Sequence, residues 1–174
     1  MKEGDKMTDN ILVVGYGTFI VHALQTLKPD GTAQQWQWDV KVLGLSKLRY
    51  WKRIIPASLG YPILIPGRKT DVLDVLVVET DEGNLEAIDR VEGHPNLYKR
   101  HNINTRFGLA FIYLPTNKIY KSLTDEDLAR GDTWPERIKL IQNPIARGRF
   151  PVFFPRQGIR LNEKVLVTSG TLVE

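Results

Sequence analysis

At 174 residues, 42% hydrophobic and 25% charged, the chain can bury a core as one compact domain, or one domain with an appendage, without covalent staples. The absence of cysteine excludes disulfides, thiolate metal ligands and a cysteine nucleophile, and suits a reducing compartment. A net charge of +4, spread along the chain, fits attraction of a small acidic ligand, nucleic-acid binding or plain solubility.

Residues 1–10 are polar and charged, read as a flexible N-terminus, and hold no signal-peptide core. Ile11–Val14 is a β-branched run ending at Gly15, the pattern of a buried strand. Thr18 is placed to cap a short helix reaching about Leu27, closed by Pro29-Asp30-Gly31. The stretch from Ile11 to Leu27 is broken by Gly, Thr, His and Gln, so it does not span a bilayer, and a cytoplasmic location is expected. Thr32–Trp38 is polar and reads as a loop. Val40–Tyr50 reads as a strand with a bulge at Gly44. Tyr61–Gly67 is an extended piece ended by Pro-Gly, and Val72–Glu79 is apolar almost throughout, which predicts burial on both faces.

Tyr98–Thr105 alternates weakly, and Arg106-Phe107-Gly108 is a hairpin turn into the strand Leu109–Leu114. Thr124–Glu136 is a charged interlude in which Asp125, Glu126 and Asp127 suit a solvated run or a helix start rather than a metal site. Beyond it, Lys164–Thr168 is again strand-like. Many short strands with few helices indicate an α+β fold around a curled sheet or small barrel.

Glu92 stands out. Leu85 and Ile88 are three apart and Glu92 follows four later, so at about 100° per residue Glu92 points within about 20° of Leu85. Gly93 then supplies the helix stop. A carboxylate at the edge of an apolar face is costly to ionise, its pKa rises, and a raised pKa suits a general acid/base near neutral pH. The spacing also permits a last-turn glutamate that turns out to solvent.

Other motifs exclude more than they assign. Gly15-Tyr16-Gly17-Thr18-Phe19 lies between a strand and a helix, where backbone N–H groups gather around anions. Ile20 stands where a dinucleotide fingerprint needs glycine, and no Gly-Lys-Ser/Thr follows. His22, His94 and His101 lack metal spacing. Ser46 lacks the second glycine of a nucleophile elbow. Arg147 and Arg149 lie beside Phe150, Phe153, Phe154 and Arg156, a mix of aromatics and arginines that could stack on single-stranded bases. No RNP, helix-turn-helix or zinc signature supports that partner.

Taken in order, several segments resemble the γ-glutamylcyclotransferase-like family. They are Val14-Gly15-Tyr16-Gly17-Thr18, Gly60-Tyr61-Pro62-Ile63-Leu64-Ile65-Pro66-Gly67, the helix end Leu85-x-x-Ile88-Asp89-x-Val91-Glu92-Gly93, Tyr98-Lys99-Arg100, and Gly131-Asp132-Thr133-Trp134. The resemblance implies an α+β fold, a small mixed β-barrel or curled sheet with flanking helices, over residues 11–134. Residues 135–174 would form a C-terminal extension packed on that core. It further implies that Tyr16, Gly17, Thr18 and Phe19 hold the α-carboxylate end of a γ-glutamyl group, that Glu92 is the acid/base, and that Tyr98 lines the pocket, with Arg100 beside it.

The implied reaction is cyclisation of a γ-glutamyl amide to 5-oxoproline with release of an amine. The implied partner is a small-molecule γ-glutamyl substrate, with no cofactor, metal, membrane or nucleic acid, in a monomer or homodimer. A relative that binds a small acidic ligand without turnover is the alternative. The chain departs from the family pattern at Asp74 and Val77, where many members have Gly and Tyr, at the inserted Thr133, and in the tail.

Overall fold

Most of the described strands are paired into one sheet. The computed structural model describes residues 10–35, 38–132, 141–150 and 172–173. In chain order the elements are β1 (Ile11–Gly15), α1 (Thr18–Thr26), β2 (Thr32–Gln35), β3 (Trp38–Arg49), β4 (Trp51–Ile54), β5 (Ile63–Pro66) and β6 (Val72–Thr80). There follow α2 (Glu82–Glu92), β7 (Tyr98–Thr105), β8 (Gly108–Pro115), α3 (Asn117–Tyr120), α4 (Asp125–Ala129), α5 (Pro144–Arg149) and β9 (Leu172–Val173).

The main sheet has seven strands in the order β2-β3-β6-β1-β8-β7-β9, and β4 pairs with β5 apart from it. Among the described residues only β1 and β8 run parallel; the other pairings are antiparallel. Strands β1 and β6 sit in the middle, and this explains their continuous hydrophobicity. Val13, Leu76 and Val78 pack into the layer that also holds Ile20, Leu24 and Ile88 of the helices. Their alternating neighbours Val14, Val75 and Val77 pack on the opposite face with Leu48, Ile103 and Ile112. The bulge expected at Gly44 is present: the β3–β6 register slips between Val42 and Gly44, and Gly44 has φ 149°.

Three expectations need correction. The sheet is curled but not closed into a barrel: among the described residues, β2 and β9 are its two edges. The supposed loop at Thr32–Trp38 holds strand β2, paired with β3 from Thr32↔Lys41 to Gln35↔Trp38. An edge strand needs few apolar residues, and Ala33 supplies a buried side chain there. Gly17, not Thr18, is the N-cap of α1.

The charged interlude contains a helix start, as one of its two readings had it. Thr124 caps α4 in a capping box with Asp127. Asp127 is buried and accepts the Ala57 N–H at 2.9 Å. Hydrogen bonds from the Thr124 backbone, then from Ala57 and the Thr124 hydroxyl, hold its carboxyl below the usual range. In the tail, Ile141, Ala146 and Phe150 belong to the main core layer. Asn143 donates to the Leu24 and Leu27 carbonyls at 3.0 Å, closing the C-terminus of α1. Phe150 is therefore packed rather than displayed for stacking; Phe153, Phe154, Arg156 and Lys164–Thr168 lie outside the described residues. Among the described residues no helix is long and apolar enough to cross a membrane.

Candidate active site

The site begins with the turn between β1 and α1. Phe19 folds its ring back over Gly15, so closely that a Cβ on Gly15 would lie 2.5 Å from a ring carbon. Gly17 faces the Pro62 ring, whose carbons would lie 3.2–3.5 Å from a Cβ there. As N-cap, Gly17 offers no side-chain oxygen to the first N–H groups of α1, and the first turn carries no acid. A helix N-terminus is where backbone N–H groups and the helix dipole favour an anion.

Tyr16 is anchored at both ends. Its hydroxyl donates to the Tyr113 carbonyl at 2.6 Å. Its own carbonyl accepts from Arg53 Nη1 at 2.7 Å. Arg53 is buried on β4 and also pairs with Asp132 at 3.1 Å. The phenol, held well above its usual pKa by burial and then by the nearness of Tyr98 and Glu92, stays a neutral hydrogen-bond donor.

Glu92 is the last residue of α2, on the face buried through Leu85 and Ile88. Asp81 caps the start of that helix through its side chain, and Gly93 ends it in the left-handed region at φ 65°. These signals set the helix to deliver Glu92 at the edge of the core. Half-buried, the carboxyl is pushed up by desolvation to a pKa of about 7. Among the described residues no hydrogen bond or ion pair reaches it.

Glu92 and the Gly15–Phe19 turn line one cavity of about 310 Å3, completed by Val14, Tyr61, Pro62, Val91, Leu97, Tyr98 and Tyr113. That is the small end of the ~300–1,000 Å3 typical of small-molecule sites. Tyr98 is buried at the start of β7 with its ring 6.4 Å from that of Tyr61. Burial, then Tyr61, raises its phenol far above the usual value. Tyr16, Gly17, Thr18, Phe19, Glu92 and Tyr98 are thus brought together.

Arg100 is not. Its guanidinium pairs with Asp89 at 3.1 Å and lies over the Phe111 ring, 4.9 Å from the centroid. Its role is one step removed, because Asp89 also accepts the Tyr113 hydroxyl at 2.6 Å, and Tyr113 lines the cavity. His94 is likewise engaged outside the cavity, its Nδ1 accepting the Arg100 N–H at 3.2 Å. Arg53, Tyr61 and Tyr113 escaped the sequence reading as site residues. The available signal for Arg53 was a cation within the short strand Trp51–Ile54, which must find a partner if buried. Thr133 and Trp134 lie outside the described residues, so of that motif only Asp132 is seen at work. Among the described residues no cluster of three or more His, Asp or Glu side chains could hold a metal ion.

A family model described as "Gamma-glutamyl cyclotransferase, AIG2-like" matches residues 22–136. The chain belongs to that family. The matched span includes Glu92 and Tyr98, whereas the Gly15–Phe19 turn precedes it. Solved structures of similar fold include an AIG2-like protein from Mus musculus, at 18% identity over 69% of this chain and 83% of that one, TM-score 0.47. A solution structure from Arabidopsis thaliana is 21% identical over 78% of this chain and 85% of the other, TM-score 0.48. A protein described as gamma-glutamyl cyclotransferase is 17% identical over 62% and 68%, TM-score 0.43. No curated protein sequence matches the chain.

Proposed function

We propose that the protein is a cyclotransferase that converts a γ-glutamyl amide to 5-oxoproline and a free amine, with Glu92 as general acid/base. One observation carries the reading: a carboxyl with a pKa of about 7 lines the same cavity as the glycine-capped N-terminus of α1. Family membership supports it.

The α-carboxylate of the glutamyl group would sit on the backbone N–H groups of the Gly17–Phe19 turn, with Thr18 beside it. Its α-ammonium is then directed toward Glu92, which removes a proton and frees the nitrogen lone pair. That nitrogen attacks the γ-carbonyl carbon, a new C–N bond closes the five-membered ring, and the carbonyl oxygen takes negative charge. As the oxyanion collapses the old C–N bond breaks. The α-nitrogen sheds two protons overall and the departing nitrogen gains two, leaving as an ammonium, with Glu92 relaying between them. A group with a pKa near the working pH does both halves of this task. Holding the reactive rotamer in a cavity of this size supplies the proximity term.

The test is release of 5-oxoproline from a panel of γ-glutamyl amides. Glu92→Gln keeps the shape and removes the proton carrier, so the rate should fall by roughly 10²–10⁴. Full-rate release in that variant would sink the assignment.

A further inference from the structure

We infer that Asp127 is a positioning residue for the cavity, the centre of a brace that sets where Tyr61 and Pro62 stand, an inference that rests on the cyclotransferase reading above. The main sheet places the Gly15–Phe19 turn, which leaves β1, and Tyr98, which opens β7. Tyr61 and Pro62 are placed differently. They lie in the connection from β4 to β5, two strands that pair with each other apart from the main sheet. Strand pairing therefore shapes that hairpin without fixing how far it stands from Glu92.

Three contacts from one stretch of chain tie the hairpin down. The Tyr120 hydroxyl donates to the Leu64 carbonyl on β5 at 2.8 Å. Asp132 pairs with Arg53 on β4 at 3.1 Å. Between these two, Asp127 Oδ1 accepts the Ala57 N–H at 2.9 Å. Ala57 belongs to the turn that the Leu59 and Gly60 N–H groups close on the Pro56 carbonyl, at 3.1 and 2.9 Å. Gly60, at φ 70°, then leads straight into Tyr61 and Pro62.

Asp127 does more than its own helix asks of it. A capping box needs one side-chain oxygen at this position, and Oδ2 provides it by accepting the Thr124 N–H at 3.0 Å. The other oxygen is committed outside the helix, on a side chain only 3% exposed. A charge-assisted bond in such a place is strong and costly to leave unmade, so it holds Ala57 in position. Past Ala57, the Pro62 ring lies against Gly17, with carbons 3.2–3.5 Å from where a Cβ would stand, and the Tyr61 ring is 6.4 Å from that of Tyr98. A displaced Ala57 would move the surfaces that meet the Gly17–Phe19 turn and Tyr98.

The experiment measures kcat and KM for 5-oxoproline release from a γ-glutamyl amide by Asp127→Ala, Tyr120→Phe and Thr124→Ala beside the unaltered protein. Asp127→Ala should raise KM roughly tenfold, within the ~10²-fold that a misplaced substrate-positioning group can cost, and should change kcat far less because Glu92 is untouched. Tyr120→Phe keeps the ring, drops a second tie to the hairpin, and should raise KM severalfold. Thr124→Ala removes the hydroxyl that caps α4 but leaves Asp127 its bond to Ala57, so the thermal midpoint should fall while KM stays at the parent value. An unchanged KM in Asp127→Ala, or an equal rise in Thr124→Ala, overturns the inference while leaving the cyclotransferase reading intact. If Asp127→Ala does not fold, an unchanged KM in Tyr120→Phe overturns it instead. Release from no γ-glutamyl amide by the unaltered protein overturns that reading and this inference with it.

Discussion

Arg53 Nη1 lies 2.7 Å from the Tyr16 carbonyl oxygen, and the Arg53 side chain is buried where it makes that bond. A buried cation behind the turn fixes which way one peptide unit points. The bond holds the Tyr16 carbonyl toward the guanidinium, within the turn that lines the cavity. Asp132 closes the arrangement, accepting Arg53 Nε at 3.1 Å through both carboxylate oxygens. The ion pair thus connects the far end of the family motif to the turn that would hold the substrate.

Arg53→Met should therefore damage two properties at once. Removing one partner of a buried pair typically costs about 3–5 kcal/mol, and the partial exposure of Asp132 puts the expected loss at the lower end. With the turn less constrained, KM for a γ-glutamyl amide should rise more than kcat falls. Urea denaturation and steady-state kinetics on the same preparation check both. A loss of stability with KM unchanged would reduce Arg53 to a fold-stabilising residue.

On the proposed mechanism, the pH dependence of the reaction follows from Glu92. Its carboxyl ionises at about 7, and only the ionised form can take the ammonium proton. In the free enzyme kcat/KM should rise as pH increases through about 7 and then level off. An inflection at the ordinary carboxyl value would mean that burial does not tune this group. An inflection that survives in Glu92→Gln would assign it to another residue.

Stability should move the opposite way. The folded-state pKa of about 7 lies above the unfolded value of 4.5, so between them the native protein binds more protons than the unfolded chain. The native state therefore loses stability as pH rises from 4.5 to 7, and the loss stays constant above that window. Each pH unit of separation is worth about 1.4 kcal/mol, and partial exposure of Glu92 brings the whole to on the order of 2 kcal/mol. Glu92→Gln should be more stable than the parent by about that amount at pH 8 and nearly equal to it at pH 4. Denaturation midpoints at the two pH values decide, and a variant that is not stabilised at pH 8 contradicts the raised pKa.

Glu92 was legible because everything that positions it is local: helical spacing from Leu85 and Ile88, the Asp81 cap and the Gly93 stop. The turn at Tyr16 was legible for the same reason, as two glycines between a strand and a helix. Arg53 and Tyr113 were not, since their partners Asp132 and Tyr16 are 79 and 97 residues away and no short window holds both members. Arg100 was misplaced by proximity in sequence. It shares a strand face with Tyr98, yet lies about 6.6 Å farther along the strand, where Asp89, a turn back on α2, captures it. Whether the sheet closes depends on pairings between distant strands, and β2 was hidden because an edge strand can be polar.

The last prediction concerns Gly15, where the constraint is the neighbouring ring rather than backbone angle. A methyl group there would lie 2.5, 2.9 and 3.0 Å from three carbons of Phe19, closer than van der Waals contact allows. Phe19 is buried in the core and also lines the cavity, so a displaced ring disturbs packing and site together. Gly15→Ala should cost roughly 1–3 kcal/mol, the usual range for an overpacked core, and should weaken substrate binding. If the clash with Phe19 is the cause, the same substitution made in a Phe19→Ala background should cost far less, because the obstructing ring is gone. A double-mutant cycle measured by denaturation gives the coupling directly. An equal cost in both backgrounds would show that Gly15 is required for some reason other than the ring that covers it.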